Sequence, residues 1–243
     1  MIRLSNVYKS FNTQNKVIRA LNDVSFQIED GQTVVIGGEN GSGKTVLMSI
    51  IAGLEKADSG TVFCESRPGL VFQEAETQIL GETVIEDVSF GPQNLGFSEE
   101  EKNKAVADAL QKTGLFEKAD YQARFLSGGE KRRLAVASLL AMKLPVIIFD
   151  EPYANLDYSG VKQVNSIIRL LQNEGKTVII LTHELEKCLA LAERFIVLFR
   201  GELVFDRKMA ELNSKAFRNL PLEKWNIKNP LTAYSTIKDL VWL

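Results

Sequence analysis

The sequence predicts an α/β fold with a mainly parallel core sheet, and three observations lead to that prediction. Short β-type segments alternate with helical ones over most of the 243 residues, as in βαβ units. Residues 146–149 follow Pro145 and are all apolar, which is typical of a strand buried on both faces. A glycine-rich segment, residues 38–45, lies between a strand pattern and a helix pattern, where α/β sheets bind phosphates.

Length and composition indicate a globular protein. At roughly 150 residues per domain, the chain is one large domain or one and a half. A content of 45% apolar and 25% charged residues excludes disorder and collagen-like repeats. The 29 Lys and Arg and 31 Asp and Glu give a formal net charge of −2, so we expect no nucleic-acid partner.

The sequence indicates no membrane segment of its own. The N-terminal residues lack the apolar core of a signal peptide, and the most apolar stretch, 134–149, is interrupted by Ser138 and Lys143. We therefore expect a soluble chain that reaches a membrane only through a partner.

The two cysteines, Cys64 and Cys188, lie far apart and form no C-x-x-C pattern. This favours a reduced cytosolic chain, although one long-range disulfide between them is also compatible with the sequence.

The first third of the chain is predicted to contain mainly short strands. Strands are expected at residues 2–7, 24–28 and 33–36, with a turn at Asp30-Gly31. A helix should run from Lys44 to about residue 54, because apolar residues recur there at helical spacing. Two short strands, 61–63 and 69–72, follow it.

The middle of the chain is predicted to be helical. Ser98 and Glu101 form a capping box that starts a helix ending at Gly114. A second helix should run from Ser127 to about residue 142. Because no comparable strands occur between about residues 76 and 143, this stretch is a candidate inserted helical subdomain.

Beyond residue 149 the alternation of helices and strands resumes. We expect helices at 159–173 and 184–190 and strands at 177–181, 195–199 and 202–205. Residues 207–243 should form a short helical tail broken at Pro221 and Pro230. The main domain is thus predicted to span residues 1–206.

Residues 38–45, Gly-Glu-Asn-Gly-Ser-Gly-Lys-Thr, match the phosphate-loop pattern G-x-x-x-x-G-K-[ST] at every fixed position. Its glycines let successive backbone N–H groups turn inward around a phosphate chain, and the following helix adds its positive end. We expect Lys44 to bridge the β- and γ-phosphates and the Thr45 hydroxyl to bind Mg²⁺. The candidate ATP-binding residues of this loop are Gly38, Asn40, Gly41, Ser42, Gly43, Lys44, Thr45 and Val46.

A loop that holds a triphosphate also needs a carboxylate to orient its metal ion. Asp150 follows the apolar run, so a buried strand would deliver it to the carboxyl edge of the sheet, where open α/β sheets bind ligands. We assign Asp150 to Mg²⁺, directly or through water. The next residue, Glu151, is the candidate base for the attacking water.

Residues 126–130, Leu-Ser-Gly-Gly-Glu, start a helix that Ser127 would cap. With the phosphate loop before it and Asp150-Glu151 after it, this segment resembles the L-S-G-G-[QE] signature of ABC transporter ATP-binding subunits. The resemblance covers about residues 1–206. It implies the ABC-ATPase form of the P-loop NTPase fold, with an N-terminal antiparallel β subdomain and an inserted helical subdomain. It also implies that Ser127, Gly128, Gly129 and Glu130 contact the γ-phosphate bound by a dimer partner.

The resemblance extends to four further positions. Gln73 occupies the place of a loop glutamine that senses Mg²⁺ and the attacking water, so it is a candidate for both catalysis and metal binding. Asp157 occupies the place of the acid in the loop that crosses the dimer interface. His183, the only histidine, matches the switch histidine that contacts the γ-phosphate. Phe11 falls at the position of the aromatic ring that stacks on adenine, with Tyr8 as the alternative.

Residues 83–96, Thr-Val-Ile-Glu-Asp-Val-Ser-Phe-Gly-Pro-Gln-Asn-Leu-Gly, closely resemble a stretch of the energy-coupling-factor ATPases. Those proteins power the uptake of vitamins and of cobalt or nickel ions, and the equivalent surface docks a transmembrane scaffold protein. Without the family, the segment predicts an amphipathic helix followed by a Gly-Pro turn.

The family resemblance implies an ATP-hydrolysing transport subunit that uses ATP and Mg²⁺. It would work as a head-to-tail homodimer, or as a heterodimer with a related ATPase. It would lie at the cytoplasmic face of the cell membrane, bound to integral membrane subunits: a scaffold, with or without a separate substrate-binding subunit. The alternatives are an ATPase of a conventional importer or exporter, a soluble ABC ATPase acting on ribosomes, DNA or a protein assembly, and a phosphate-loop switch or kinase.

Several residues depart from the family pattern. Val46 stands where a second hydroxyl is usual, and the lost hydrogen bond to the α-phosphate would cost about 1 kcal/mol. Glu130 replaces the commoner Gln and adds negative charge near a triphosphate. Tyr153 and Asn155 replace smaller residues before the interface acid.

Overall fold

The computed structural model describes residues 1–13 and 16–242. In chain order, the strands of this part are β1 (Ile2–Asn12), β2 (Val17–Ile28), β3 (Thr33–Gly37), β4 (Ser59–Cys64), β5 (Gly69–Val71), β6 (Val146–Asp150), β7 (Thr177–Thr182), β8 (Arg194–Phe199) and β9 (Glu202–Lys208). The helices are α1 (Lys44–Ile51), α2 (Val84–Asn94), α3 (Glu99–Thr113), α4 (Gly128–Ala141), α5 (Tyr158–Asn173) and α6 (Ser214–Arg218).

The central sheet has six strands in the order β5-β6-β7-β3-β8-β9. The first five strands in this order are parallel, and β9 pairs antiparallel with β8. Every residue of β3, β6 and β7 is buried, which explains why their sequences are nearly continuous apolar runs. The predicted α/β class and the buried strand at residues 146–149 are confirmed.

Two apolar layers cover this sheet. Val34 and Ile36 of β3 face a cluster that includes α1, β1 and β2, whereas Val35 faces α5 and the tail. The three-stranded antiparallel sheet, in the order β2-β1-β4, forms the outer part of the first layer. The predicted antiparallel unit is therefore present and packs beside α1.

Helices α2, α3 and α4 build a third apolar cluster of their own. The predicted capping box at Ser98, the N-cap at Ser127 and the helix end at Gly114 are confirmed. Ser127 also forms a capping box with Glu130, and Gly114 has a left-handed φ of 67°. The separate cluster fits an inserted helical unit. The expected boundaries at residues 76, 143 and 206 stay predictions.

The structure corrects some local predictions. Gly91 and Pro92 lie inside α2 and not in a turn after it. Packing explains the difference, because a Cβ on Gly91 would lie 2.5 Å from Met142 Cγ, so α2 approaches the end of α4 closely. Helix α1 ends at Ile51, and a left-handed φ of 71° at Gly53 prevents its continuation to residue 54.

The helix expected at residues 184–190 is also wrong. Two 3₁₀ turns, Leu185–Lys187 and Leu189–Leu191, replace it, because Cys188 between them has a φ of −147° and a ψ of −12°, outside the helical region. The tail is less helical than predicted and contains the five-residue α6 and several 3₁₀ turns.

Cys64 and Cys188 are both free thiols. The long-range disulfide that the sequence allowed is therefore not formed.

The turn between β3 and α1 depends on one glycine. Gly43 has a φ of 105°, and a Cβ on it would lie 2.3 Å from the Ala20 carbonyl oxygen of β2. The backbone of β2 therefore contacts this turn directly and fixes its position.

We expect Gly43→Ala to lower the free energy of unfolding by about 3 kcal/mol, because the left-handed strain and the overlap with Ala20 add together. Urea denaturation measures the loss. Gly53→Ala is the matched control, since Gly53 has φ 71° with nothing within 4 Å of the added carbon. That control should lose only about 1 kcal/mol. Equal losses in the two variants would contradict the close-approach argument.

Candidate active site

The phosphate loop lies where β3 leaves the carboxyl edge of the parallel sheet and α1 begins. A Cβ on Gly38 would lie 2.4 Å from the Leu198 carbonyl oxygen, so the loop is tightly packed against β8. Asn40 and Gly41 are exposed at the tip, while Val46 packs against the core below α1. The tip of the loop is thus open to solvent, whereas its two ends are packed against the protein.

Lys44 lies at the centre of this loop with only 6% of its side chain exposed. Its ammonium donates hydrogen bonds to the carbonyl oxygens of Gly38 (2.7 Å) and Glu39 (3.1 Å). Glu151 Oε1 lies 3.3 Å from Lys44 Nζ and completes an ion pair. The loop carbonyls thus take two of the three ammonium donors. Glu151 Oε1 forms an ion pair with the ammonium but accepts no hydrogen bond from the described residues.

Asp150 ends β6 beside the start of α1. Thr45 Oγ1 donates a hydrogen bond of 3.1 Å to Asp150 Oδ2. Burial raises the pKa of Asp150, and the charge of Glu151 acts in the same direction. Within the part of the chain that the structure describes, Asp150 Oδ1 and the hydroxyl of Ser42 are buried without a hydrogen-bond partner. Buried oxygens of this kind are costly, and they are available to a ligand.

Glu151 is held by the end of β7. Its Oε2 accepts hydrogen bonds from the Thr182 hydroxyl (3.0 Å) and the His183 backbone N–H (3.3 Å), and lies 3.0 Å from His183 Nδ1. Its backbone N–H donates to the Leu181 carbonyl (2.8 Å). Glu151 also has a φ of 45°, a left-handed conformation that is uncommon outside glycine and frequent at functional sites.

The donor set at this edge suits magnesium. Among residues 1–13 and 16–242, no three His, Cys, Asp or Glu side chains are grouped so that they could hold a metal by themselves. A metal ion here would therefore be bound by Thr45 and Asp150 and complete its shell with oxygens of a ligand or water. Mg²⁺ is commonly bound in this way, through one or two protein oxygens and substrate phosphates.

The signature segment, residues 126–130, lies at the start of α4 and is stabilised by hydrogen bonds within the first turn of that helix. The Ser127 hydroxyl accepts the Glu130 backbone N–H (3.4 Å) and donates to Glu130 Oε2 (2.9 Å). An ion pair with Lys118 and the Ser127 backbone N–H lower the pKa of Glu130 to about 2. The extra negative charge expected of Glu130 is thus neutralised locally. Gly128 is exposed and Gly129 half-buried in the first turn.

The remaining predicted residues lie on three other elements. Gln73 is exposed just after β5, and its backbone carbonyl accepts a hydrogen bond from Arg132 (3.0 Å). Asp157 caps α5 by accepting the Gly160 backbone N–H (2.8 Å), which lowers the pKa of Asp157. Phe11 is 38% exposed on β1, and Lys9 Nζ lies over its ring, 5.1 Å from the centroid.

Several residues of the site were missed by the sequence analysis. Thr182 was passed over, although a hydroxyl at the end of a fully apolar strand is a usable signal. Arg132 is a buried guanidinium that links α4 to the backbone of Gln73, and the sequence analysis assigned it no role. Asn226 of the tail donates to Glu39 Oε2 (2.7 Å), a contact that no local pattern could indicate.

Comparison with known proteins relates the chain to ATP-binding proteins of ABC transporters. The sequence matches the ABC transporter family over residues 21–154. It is 37% identical over 250 residues to the energy-coupling factor transporter ATP-binding protein EcfA2 of Clostridium perfringens, covering 95% of this chain and 86% of that protein.

Two solved structures share the fold. One is cbiO1 from Clostridium perfringens, part of the ABC transporter complex cbiONQ, with a TM-score of 0.77, 30% identity, and coverage of 92% of this chain and 96% of that chain. The other is the dimeric ATP-binding cassette MJ0796 bound to ADP and Pi, with a TM-score of 0.76, 30% identity, and coverage of 86% and 99% respectively.

None of the helices in the described part of the chain combines the length and the apolar character that crossing a bilayer requires. The family match spans more than half of the chain and includes the phosphate loop, the signature segment and the carboxylates after β6. The chain therefore belongs to the ABC transporter family and is one of its ATP-binding, ATP-hydrolysing subunits.

Proposed function

We propose that this chain is the motor subunit of an energy-coupling-factor type importer, which converts ATP binding and hydrolysis into movement of integral membrane partners. One observation carries the ATP-hydrolysing part of the proposal: the Lys44–Glu151 ion pair, the Thr45–Asp150 hydrogen bond and the Glu151–His183 contact lie together at one sheet edge. These are the groups that phosphoryl transfer needs, namely a cation, a metal-binding pair and a base.

The phosphate loop and Lys44 hold the triphosphate in this proposal. The loop carbonyls occupy two donors of the ammonium, so the third donor is the one that a γ-phosphate would take. Thr45 and Asp150, with Gln73, are the residues assigned to Mg²⁺, which when bound neutralises phosphate charge. Phe11 is assigned to stacking on the adenine.

Glu151 acts as the general base. It accepts a proton from the water whose oxygen attacks the γ-phosphorus, while the bond from that phosphorus to the ADP oxygen breaks. Thr182 and His183 hold one carboxylate oxygen, leaving the other, Oε1, for Lys44 or water. Arrival of the triphosphate draws Lys44 away and so exposes the base only when its substrate is present.

A second cassette completes each site. In the described structure, the Ser127 side chain at the start of α4 forms hydrogen bonds with Glu130 of its own helix. It forms none with Lys44 or Glu151. We therefore assign the start of α4 to binding the γ-phosphate of ATP held by a partner cassette. The partner is a second copy or a related ATPase, and Asp157 lies at their seam. ATP then favours the closed pair and hydrolysis releases it. The dimeric form of the similar cassette MJ0796 supports this arrangement.

The outer side of α2 is the proposed contact with the membrane subunits. Val84 and Val88 are buried, whereas Ile85, Phe90 and Leu95 are exposed by 39%, 51% and 51%. Large exposed apolar side chains that recur in one segment are candidates for an interaction surface. We place the chain at the cytoplasmic face of the membrane, bound to a scaffold subunit that leads to uptake of a vitamin or metal ion. The name of the relative EcfA2 and the complex that contains cbiO1 support this choice over a conventional importer or exporter.

Replacing the base should separate binding from turnover. Glu151→Gln is expected to bind ATP normally but to lower kcat at least about 100-fold, because the amide cannot accept the proton. Dimers should accumulate with ATP in size-exclusion chromatography. Glu211→Gln, on an exposed carboxylate of the tail, is the control and should behave as the native chain. Undiminished turnover of Glu151→Gln would overturn its assignment.

The membrane contact is tested by capture from solubilised membranes. The native chain should co-purify with an integral membrane protein, and Phe90→Glu should lose it because a charge replaces an apolar contact. The ATPase rate of the purified chain should be unchanged. Phe63→Glu on β4, with a native side chain of similar exposure (52%), is the matched control and should retain the partner. Retention by Phe90→Glu, or no membrane protein with the native chain, would contradict the proposed surface.

A further inference from the structure

A buried hydrogen-bond network joins the tail to the two segments that carry Glu151 and His183. Asn165 of α5 lies at its centre and is 0% exposed. Its Oδ1 accepts a hydrogen bond from the Tyr153 hydroxyl (2.8 Å), and its Nδ2 donates to the backbone carbonyls of Lys187 (2.8 Å) and Trp242 (2.8 Å). Both N–H groups and the carbonyl of this amide have partners, so its orientation is fixed.

These partners are close in sequence to the proposed catalytic residues. Tyr153 comes two residues after Glu151, within a turn closed by the Ala154 N–H and the Glu151 carbonyl (3.2 Å). Lys187 comes four residues after His183 and ends the 3₁₀ turn Leu185–Lys187. The single amide of Asn165 therefore holds together the two loops that leave β6 and β7.

Residues 240–242 close the network from the side of the tail. Leu240 is fully buried, and its carbonyl accepts the Ala190 N–H (3.0 Å). The Trp242 ring lies 5.6 Å from the Tyr158 ring, between centroids, and 5.4 Å from Lys187 Nζ. The tail thus forms a hydrogen bond with the segment after His183 and packs against the start of α5.

The network also accounts for an unusual residue. Tyr153 stands where the family resemblance leads one to expect a smaller side chain, and it is 0% exposed. A buried phenol hydroxyl needs a hydrogen-bond partner, and Asn165 supplies it. Burial raises the pKa of Tyr153 well above its usual value, so the hydroxyl remains a donor at every relevant pH.

We propose that Tyr153, Asn165 and residues 240–242, the tail clamp, are positioning elements of the ATPase site. They hold the loops of Glu151 and His183 in place without touching the nucleotide. The inference rests on the catalytic roles proposed above for those two residues. Loosening the clamp should leave ATP binding at the phosphate loop intact and lower kcat, since only the geometry of the base and the histidine changes.

The test compares the native chain with three variants: a point substitution, a short C-terminal truncation and the combination of both. Tyr153→Phe removes one hydroxyl, and a chain that stops after Val241 removes the carbonyl and ring of Trp242 together with Leu243. Each should lower kcat about tenfold with an unchanged Kd for ATP, because misplaced catalytic groups slow only the chemical step. The double variant should also lose about tenfold, not about 100-fold, since both changes break one network.

Tyr121→Phe, which removes the hydroxyl of an exposed tyrosine on the helical unit, is the control and should keep native kcat. Thermal unfolding by circular dichroism establishes that each variant is folded at the assay temperature. Native kcat in both clamp variants, or losses that multiply in the double variant, would overturn the tail clamp. If Glu151→Gln kept full turnover, the proposed base would fail instead, so the two failures are distinguishable.

Discussion

One buried ammonium group organises the site. An unpaired charge in a protein interior is far too costly to persist, so the ammonium of Lys44 must be surrounded by acceptors. The carbonyls of Gly38 and Glu39 and the carboxylate of Glu151 provide them. This geometry requires the phosphate loop to curl tightly after β3 and requires β6 to end nearby, which the strand order β6-β7-β3 ensures.

The same ion pair connects ATP binding to catalysis. In the structure the Glu151 carboxylate is shared between Lys44 on one side and Thr182 and His183 on the other. In our proposal a triphosphate competes for Lys44 and leaves the carboxylate available to water, so the base becomes active as the substrate arrives. The strained φ of Glu151 fits a residue that is held in place by its surroundings and not by its local preference.

Local patterns made most of the fold and much of the candidate site predictable. The phosphate loop, the acids after an apolar strand and the capping boxes at Ser98 and Ser127 are each encoded within a few residues. Contacts between distant segments were not predictable, because nothing near Asn165 or Asn226 indicates their partners in the tail and in the loop. Two local predictions were also wrong: Pro92 lies inside α2, where Gly91 approaches Met142 closely, and the backbone of Cys188 interrupts the helix expected at 184–190.

The central claim is that each ATP site combines the phosphate loop of one cassette with the α4 start of another. Mixing two inactive variants, Lys44→Ala and Ser127→Arg, tests it most directly, because a mixed dimer regains one intact site. With equal amounts and random pairing, we predict about a quarter of the native ATPase rate. A mixture that stays as inactive as its components, under conditions where the native chain hydrolyses ATP, would contradict the shared site.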